Sequence, residues 1–171
     1  MFEIYAAAMF DTFFSLKGPG IDLFHRFKSQ WGFLNKSNFH SLDSDEVGES
    51  CLNTAEKAWF ESRWSVVVFN LQQHLKNVQP RDDYREFARL TLQMLGDDVE
   101  IAAGFSAPGA YHRARWMAKG IHCLKMFGFH HQFCMSKREI DSLRRICLFV
   151  CTIYTNFWFN YSTLSNRCSC E

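Results

Sequence analysis

One stretch of the chain, residues 107–129, combines a helical apolar period with the densest run of basic residues. Apolar residues recur alternately four and three positions apart, which is the spacing of one face of an α-helix; they are Ala110, Ala114, Met117, Ile121 and Leu124. The basic residues lie off that stripe, and they are Arg113, Arg115, Lys119 and Lys125. We therefore predict an amphipathic helix that packs through one face and offers positive charge on the other.

Spacings of three and four recur through most of the chain and predict a mainly α fold. We expect an irregular helical domain of about five to six helices, with at most a minor strand around residues 99–106. The predicted helices cover residues 2–16, 21–31, 50–76, 80–95, 110–128 and 136–159, and a turn at 107–109 precedes the fifth of them. Three consecutive valines leave a short strand at 65–69 as an alternative, and the polar residues 35–50 are expected to form an exposed loop.

Individual residues mark the ends of several predicted helices. Asp82 and Asp83 suit the first turn of the fourth helix, where negative charge is favourable. Gly96 is expected to end that helix. Ser136 and Glu139 have the spacing of a capping box, so the last helix is predicted to begin there.

Length and composition favour a single folded unit. The 171 residues are 47% hydrophobic and 16% aromatic, which is enough to build one buried core. We assign residues 1–160 to a single helical domain. Residues 161–171, YSTLSNRCSCE, lose the apolar period and are expected to form a disordered or divergent tail.

The charge is distributed unevenly although the net charge is only +1. Residues 41–100 carry twelve acidic and six basic residues, whereas residues 112–145 carry eight basic and two acidic ones. Basic residues of the kind found in the second region contact phosphates, so we expect DNA contact through Arg113, Arg115, Lys119 and Lys125. Further basic residues extend the patch, and they are Lys137, Arg138, Arg144 and Arg145. The alternative is a solvated face, or a basic face matched internally by acids such as those of residues 81–100.

Cysteine usage and hydropathy indicate the compartment. The odd count of seven cysteines, scattered among helical apolar residues and without a signal peptide, is typical of reduced intracellular thiols. We therefore expect the nucleus or the cytoplasm. The most apolar run, residues 146–159, is short of the roughly 18 residues that a membrane span needs. We interpret it as a core helix rather than a membrane anchor.

No complete catalytic or metal site can be assembled from the sequence. The cysteines and histidines at 122, 123, 130, 131 and 134 do not match the spacing of a structural zinc site, so core or surface positions are favoured for them. The acids at 82–83 and 97–100 are typical of helix ends, and neither a nucleophile elbow nor a phosphate-binding loop is present. We therefore expect no cofactor, no metal and no enzymatic activity.

Five blocks of the sequence resemble, in the same order, an uncharacterised group of transposon-derived proteins that occur in many copies in animal genomes. The blocks are IYAAAMFDTFF, GPGIDLFHRFKSQWGFLNKS, PRDDYREFARLTLQMLG, APGAYHRARWMAKGIHCLKMFGFHHQF and LRRICLFVCTIYTNFWF. APGAYHRARWMAK is the specific block and the others support it. The resemblance covers almost everything up to Phe159.

That group is in turn similar to RNase H-like, cut-and-paste transposases of the hAT kind, in which a helical region interrupts a catalytic sheet. Arg115 and Trp116 resemble the Arg-Trp pair found there. The chain begins after the Cys/His-containing segment and the sheet of the longer relatives, and it ends in YSTLSNRCSCE instead of their Pro/Asn-containing segment. The resemblance therefore implies the helical C-terminal part of such a protein, without catalytic activity of its own.

These observations predict a transposable-element-derived helical domain that contacts DNA through the basic face of residues 112–145. The alternative is a helical module for protein interaction or oligomerisation, which pairs with a missing N-terminal half or with a second copy. A membrane-associated protein is the third alternative.

Overall fold

The computed structural model describes residues 11–13, 19–42, 54–77, 82–96, 105–109 and 116–155. All regular secondary structure in these ranges is helical, which confirms the predicted mainly α fold. The minor strand expected around 99–106 is not seen at 105–106, and residues 99–104 lie outside the described part.

Five α-helices have described bounds: α1 (Pro19–Gln30), α2 (Thr54–Asn77), α3 (Asp82–Met94), α4 (Trp116–Gly128) and α5 (Lys137–Phe149). Short 3₁₀ turns follow α1 at Trp31–Phe33 and α4 at His130–Gln132, and α5 continues as a π-helical stretch at Val150–Tyr154. Residues 11–13 are also helical, and the rest of the helix predicted at 2–16 lies outside the described residues.

The helix α4 is central to the fold. It packs against α1, α3 and α5, and residues 120–129 are all buried. Ile121 and Leu124 lie in the core as predicted, but the residues between them are buried as well. The predicted amphipathic helix is therefore corrected to a helix enclosed on several sides, because three other helices cover it. Residues 107–109 are not helical, in agreement with the turn predicted there, and the helix ends at Gly128 as expected.

Several predicted helix ends are confirmed. Gly96 follows α3 with φ of +81°, a left-handed conformation that glycine adopts without steric cost and that ends a helix. Ser136 accepts a hydrogen bond from the Glu139 amide, and the Glu139 carboxylate accepts one from the Ser136 amide. This reciprocal capping box begins α5 where the sequence predicted it.

The alternative strand at 65–69 is excluded, since these residues lie within α2. Val67 is 2% exposed and faces the core, whereas Val66 and Phe69 are 50% and 60% exposed. The three valines therefore divide between two faces of a helix. Their helical placement is supplied by packing against α3 and the π-helical stretch, which overrides the modest preference of valine for strands.

The segment 35–42 is a loop, as its polar composition predicted, but it is exposed only in part. Leu42 is 2% exposed, and its amide donates a hydrogen bond of 2.8 Å to the carbonyl of Met94. The amide of His40 donates one of 2.7 Å to the carbonyl of Gly128. These two hydrogen bonds, from His40 and Leu42, attach the segment to the ends of α4 and α3. Residues 43–50 lie outside the described ranges.

The apolar run at 146–159 enters the core, as predicted, over its described part. Residues 146–152 and Thr155 are buried. Where the structure is described, no helix has the length and apolarity of a membrane span. The buried apolar side chains of the described residues form one continuous cluster, whereas the tail at 161–171 lies outside these residues.

Candidate nucleic-acid interface

Of the four basic residues expected to contact DNA, the two that the structure describes, Lys119 and Lys125, do not lie on an open surface. Arg113 and Arg115 lie outside the described residues. The side chain of Lys119 is only 11% exposed, and its ammonium lies 3.2 Å from a carboxylate oxygen of Asp11. Lys119 is therefore engaged within the protein, which corrects its predicted place on an open basic surface.

Lys125 is buried, with 2% of its surface exposed. Its ammonium forms an ion pair with Glu86 of α3, donates a hydrogen bond of 2.6 Å to the carbonyl of Ser106 and lies 5.7 Å from the ring centroid of Trp31. Burial lowers the pKa of Lys125, and its hydrogen bond to Glu86 acts in the opposite direction. A DNA phosphate cannot reach this ammonium. The expectation for Lys125 is thus corrected in favour of an internal match with an acid of residues 81–100.

Exposed positive charge lies instead on α5. Lys137, Arg138 and Arg145 are exposed, and together with Asp141 and Ser142 they line a shallow depression of about 550 Å³. Positions 137, 138, 141, 142 and 145 share one side of a helix because they are separated by three or four residues or lie next to each other. We name Lys137, Arg138 and Arg145 the α5 basic face.

Arg144, the fourth basic residue of α5, has a different environment. Its guanidinium lies 3.0 Å from Asp141 and 5.8 Å from the ring centroid of Phe127, and its side chain is 15% exposed. These contacts hold Arg144 against α4. Arg144 therefore supports the helix that carries the α5 basic face, whereas the sequence had grouped it with the contacting residues.

The position of the basic face at the start of α5 has an electrostatic consequence. The N-terminus of an α-helix carries a partial positive charge, and cations in the first turn are unfavourable by about 0.3–1 kcal/mol each. Lys137 and Arg138 occupy the first two positions of α5. The same arrangement favours a bound anion, because the helix dipole and the two side chains attract it together.

Histidines and cysteines provide no metal site where the structure is described. The rings of His40, His130 and His131 have centroids 5.0, 5.9 and 5.8 Å apart, yet no group of three metal-ligating side chains in these ranges could hold an ion. Burial and the neighbouring His40 lower the pKa of His131. His122 is buried in the core, 5% exposed.

The buried cysteines are core residues. Cys123, Cys147 and Cys151 are buried free thiols, and burial raises the pKa of each. Cys147 and Cys151 therefore act as small apolar side chains of the core. Cys134 is an exposed free thiol.

Comparisons with protein families, with characterised proteins and with solved structures find no significant match to this chain.

Proposed function

We propose that this chain is a transposable-element-derived helical domain that contacts DNA through the α5 basic face and has no catalytic activity of its own. The observation that carries the DNA contact is the exposure of Lys137, Arg138 and Arg145 on one side of α5. The resemblance of the sequence blocks to transposon-derived proteins supports the origin. The proposed contact is with phosphates, because exposed lysine and arginine side chains and a helix N-terminus all bind phosphate oxygens.

The absence of catalysis is proposed from the chemistry of the resembled transposases. Their acids are held together on two metal ions by a sheet, and the resemblance covers a helical region only. Nicking of supercoiled DNA by the purified chain in the presence of magnesium, lost on replacing its acids, would contradict this part of the proposal. The proposed location is the nucleus or the cytoplasm, which suits both DNA contact and the free thiols.

The DNA contact is tested by a salt titration of binding to a labelled duplex. Three phosphate contacts give a slope of log K against log salt of about −2.7. The variant Lys137→Ala/Arg138→Ala/Arg145→Ala should lose most of the affinity and most of this slope. Lys28 and Lys76 are exposed on α1 and α2, so the variant Lys28→Ala/Lys76→Ala should retain most of both. Equal losses in the two variants would sink the assignment to α5.

A second candidate function is self-association through the exposed side of α2. Five uncharged residues lie there at spacings of three, four, four and three, and all are exposed: Ala55, Ala58, Ser62, Val66 and Phe69. An antiparallel second copy centred on Ser62 would place Phe69 opposite Ala55 and Val66 opposite Ala58. Each large side chain then meets a small one, as an isologous two-fold interface requires.

Sedimentation at increasing protein concentration distinguishes self-association through α2 from the proposed DNA contact. Self-association through α2 should be insensitive to salt and should be lost in Phe69→Asp, whereas Lys76→Asp, on the same helix, should retain it. A chain that stays monomeric at all concentrations would remove this candidate and leave the DNA contact unaffected.

A further inference from the structure

One guanidinium on α1 joins that helix to the start of α5. The Nη1 atom of Arg26 donates a hydrogen bond of 2.6 Å to the carbonyl of Cys134, and its Nη2 atom donates to a carboxylate oxygen of Glu139. Its Nε atom lies 3.1 Å from Asp22, four residues earlier on α1. Arg26 therefore connects α1 both to Cys134, in the segment just before α5, and to Glu139, in the first turn of α5.

Both carboxylate oxygens of Glu139 are engaged. Oε1 accepts the hydrogen bond from Arg26, and Oε2 accepts a hydrogen bond of 2.9 Å from the amide of Ser136. The side chain of Glu139 is 17% exposed. Its negative charge is thus compensated by Arg26 and directed toward α1, although Glu139 follows Lys137 and Arg138 directly in sequence.

We infer that Arg26 is a positioning residue for phosphate binding by the α5 basic face. It compensates the charge of Glu139 and fixes the first turn of α5, and it does not itself contact the DNA. An uncompensated carboxylate beside Lys137 and Arg138 would repel the phosphate and attract both cations. This inference rests on the proposed DNA contact.

A double-mutant cycle on DNA binding tests the inference. Arg26→Gln should weaken binding roughly fivefold, as expected for one uncompensated charge near the surface. Glu139→Gln removes the negative charge but keeps a side-chain oxygen that can accept the hydrogen bond from the Ser136 amide. In that background, Arg26→Gln should therefore change the affinity less than twofold. Asp22→Asn, which breaks only the contact within α1, should also have less than a twofold effect.

The slope of log K against log salt separates a positioning role from a direct contact. Arg26→Gln should leave this slope unchanged, whereas loss of a phosphate contact reduces it by about 0.9. Arg26→Lys, which keeps the charge, should retain most of the affinity and serves as the second variant if Arg26→Gln unfolds. Circular dichroism and thermal melting establish folding for each variant.

Two results would overturn the inference while leaving the proposed function intact. One is an equal loss of affinity from Arg26→Gln with and without Glu139→Gln, since Arg26 would then contact phosphate directly. The other is no loss in either Arg26 variant. If the wild-type chain shows no salt-dependent binding to DNA, the proposed function fails and the inference fails with it.

Discussion

Lys125 is a cation held inside a helical core by three partners. The Glu86 carboxylate compensates its charge, the Ser106 carbonyl accepts a hydrogen bond, and the Trp31 ring lies on a further side. Glu86 is 26% exposed along its side chain, so the pair is enclosed mainly at the Lys125 end. Breaking such a pair costs more than its net stabilisation, because one charge then stays buried without a partner.

Replacing Lys125 by methionine should therefore destabilise the protein. We expect Lys125→Met to lower the free energy of unfolding by about 3 kcal/mol, and Lys125→Met/Glu86→Gln to recover most of that loss, because neither buried charge remains. Urea unfolding followed by circular dichroism measures both changes. If Lys125→Met were as stable as the wild type, the ion pair between Lys125 and Glu86 would not be enclosed by the protein.

His122 makes the stability depend on pH. Burial, followed by the charges of Lys125 and Lys28, lowers its pKa from 6.5 to about 4. Its Nδ1 atom has no hydrogen-bond partner among the described residues, and its ring centroid lies 4.7 Å from that of Phe24. The fold therefore favours the neutral imidazole.

The unfolded chain binds a proton at His122 more readily than the folded protein does, so stability falls as the pH falls from about 6.5 to 4. The loss due to His122 at pH 5 is about 2 kcal/mol relative to pH 8. His122→Phe should reduce this dependence, whereas His25→Gln, at an exposed position of α1, should preserve it. Urea unfolding at several pH values measures the effect, and an unchanged pH dependence in His122→Phe would contradict it.

Residue-scale prediction from the sequence succeeded where the period alone decides burial. Leu23, Phe24 and Phe27 stand at helical spacing within the helix predicted at 21–31, and all are 1% exposed or less. Lys125 was not predictable in this way, because a lysine off the apolar stripe has the same sequence signature whether water or Glu86 faces it. Only the position of α3 decides between the two.

At the scale of elements, segment 35–42 makes contacts with residues at the end of α4 that the local sequence pattern does not predict. The side-chain amide of Gln132 accepts a hydrogen bond of 2.7 Å from the Asn35 amide and donates to the carbonyls of Asn35 and Asn38, at 3.0 and 2.9 Å. Phe39 stacks on Phe105, with ring centroids 5.4 Å apart. These partners lie far away in sequence, so polar composition predicted a loop but not its attachment.

The close approach of Phe39 to Gly128 gives a test at this scale. A Cβ on Gly128 would collide with the Phe39 ring, so Gly128→Ala should cost about 1–3 kcal/mol through overpacking, although alanine normally stabilises a helix. Gly32 has open space around it, and Gly32→Ala should change stability by less than about 1 kcal/mol. Chemical denaturation compares the two variants. A Gly128→Ala variant more stable than wild type would show that segment 35–42 does not pack there.

Helix boundaries were predictable where capping chemistry is local. The capping box at Ser136 and the stop at Gly96 both depend on residues within one turn, and both are confirmed. The enclosure of α4 was not predictable, because it depends on three other helices meeting there. In sequence, a buried helix that carries lysines shows nearly the same spacing of apolar residues as an amphipathic helix on the surface.

In the described part of the chain, ion pairs neutralise three of the basic side chains of residues 112–145. Lys119 pairs with Asp11, Lys125 with Glu86 and Arg144 with Asp141. Among the described residues, Lys137 and Arg138 form no such pair, so the exposed positive charge lies at residues 137–145 and not at Lys119 and Lys125. The sequence predicted the broad basic region at 112–145. The division between internal and exposed cations required the tertiary fold.

Lys137 and Arg138 stand at the N-terminus of α5, where cations lower the stability of a helix but favour the anion binding that we propose. Lys137→Glu/Arg138→Glu reverses both charges in the first turn, so it should raise the free energy of unfolding by about 1 kcal/mol while removing DNA binding. Lys28→Glu/Lys76→Glu changes the net charge equally, but it places acids near helix C-termini, at the ends of α1 and α2. This control should lower stability slightly and retain most of the binding.

The most direct measurement is therefore the salt dependence of duplex DNA binding, made on these two variants and the wild type beside their urea unfolding curves. We expect a slope reduced by about 1.8 in Lys137→Glu/Arg138→Glu, together with greater stability. In Lys28→Glu/Lys76→Glu we expect a slope close to that of the wild type. DNA binding by Lys137→Glu/Arg138→Glu with the affinity and slope of the wild type would contradict the proposed contact through α5.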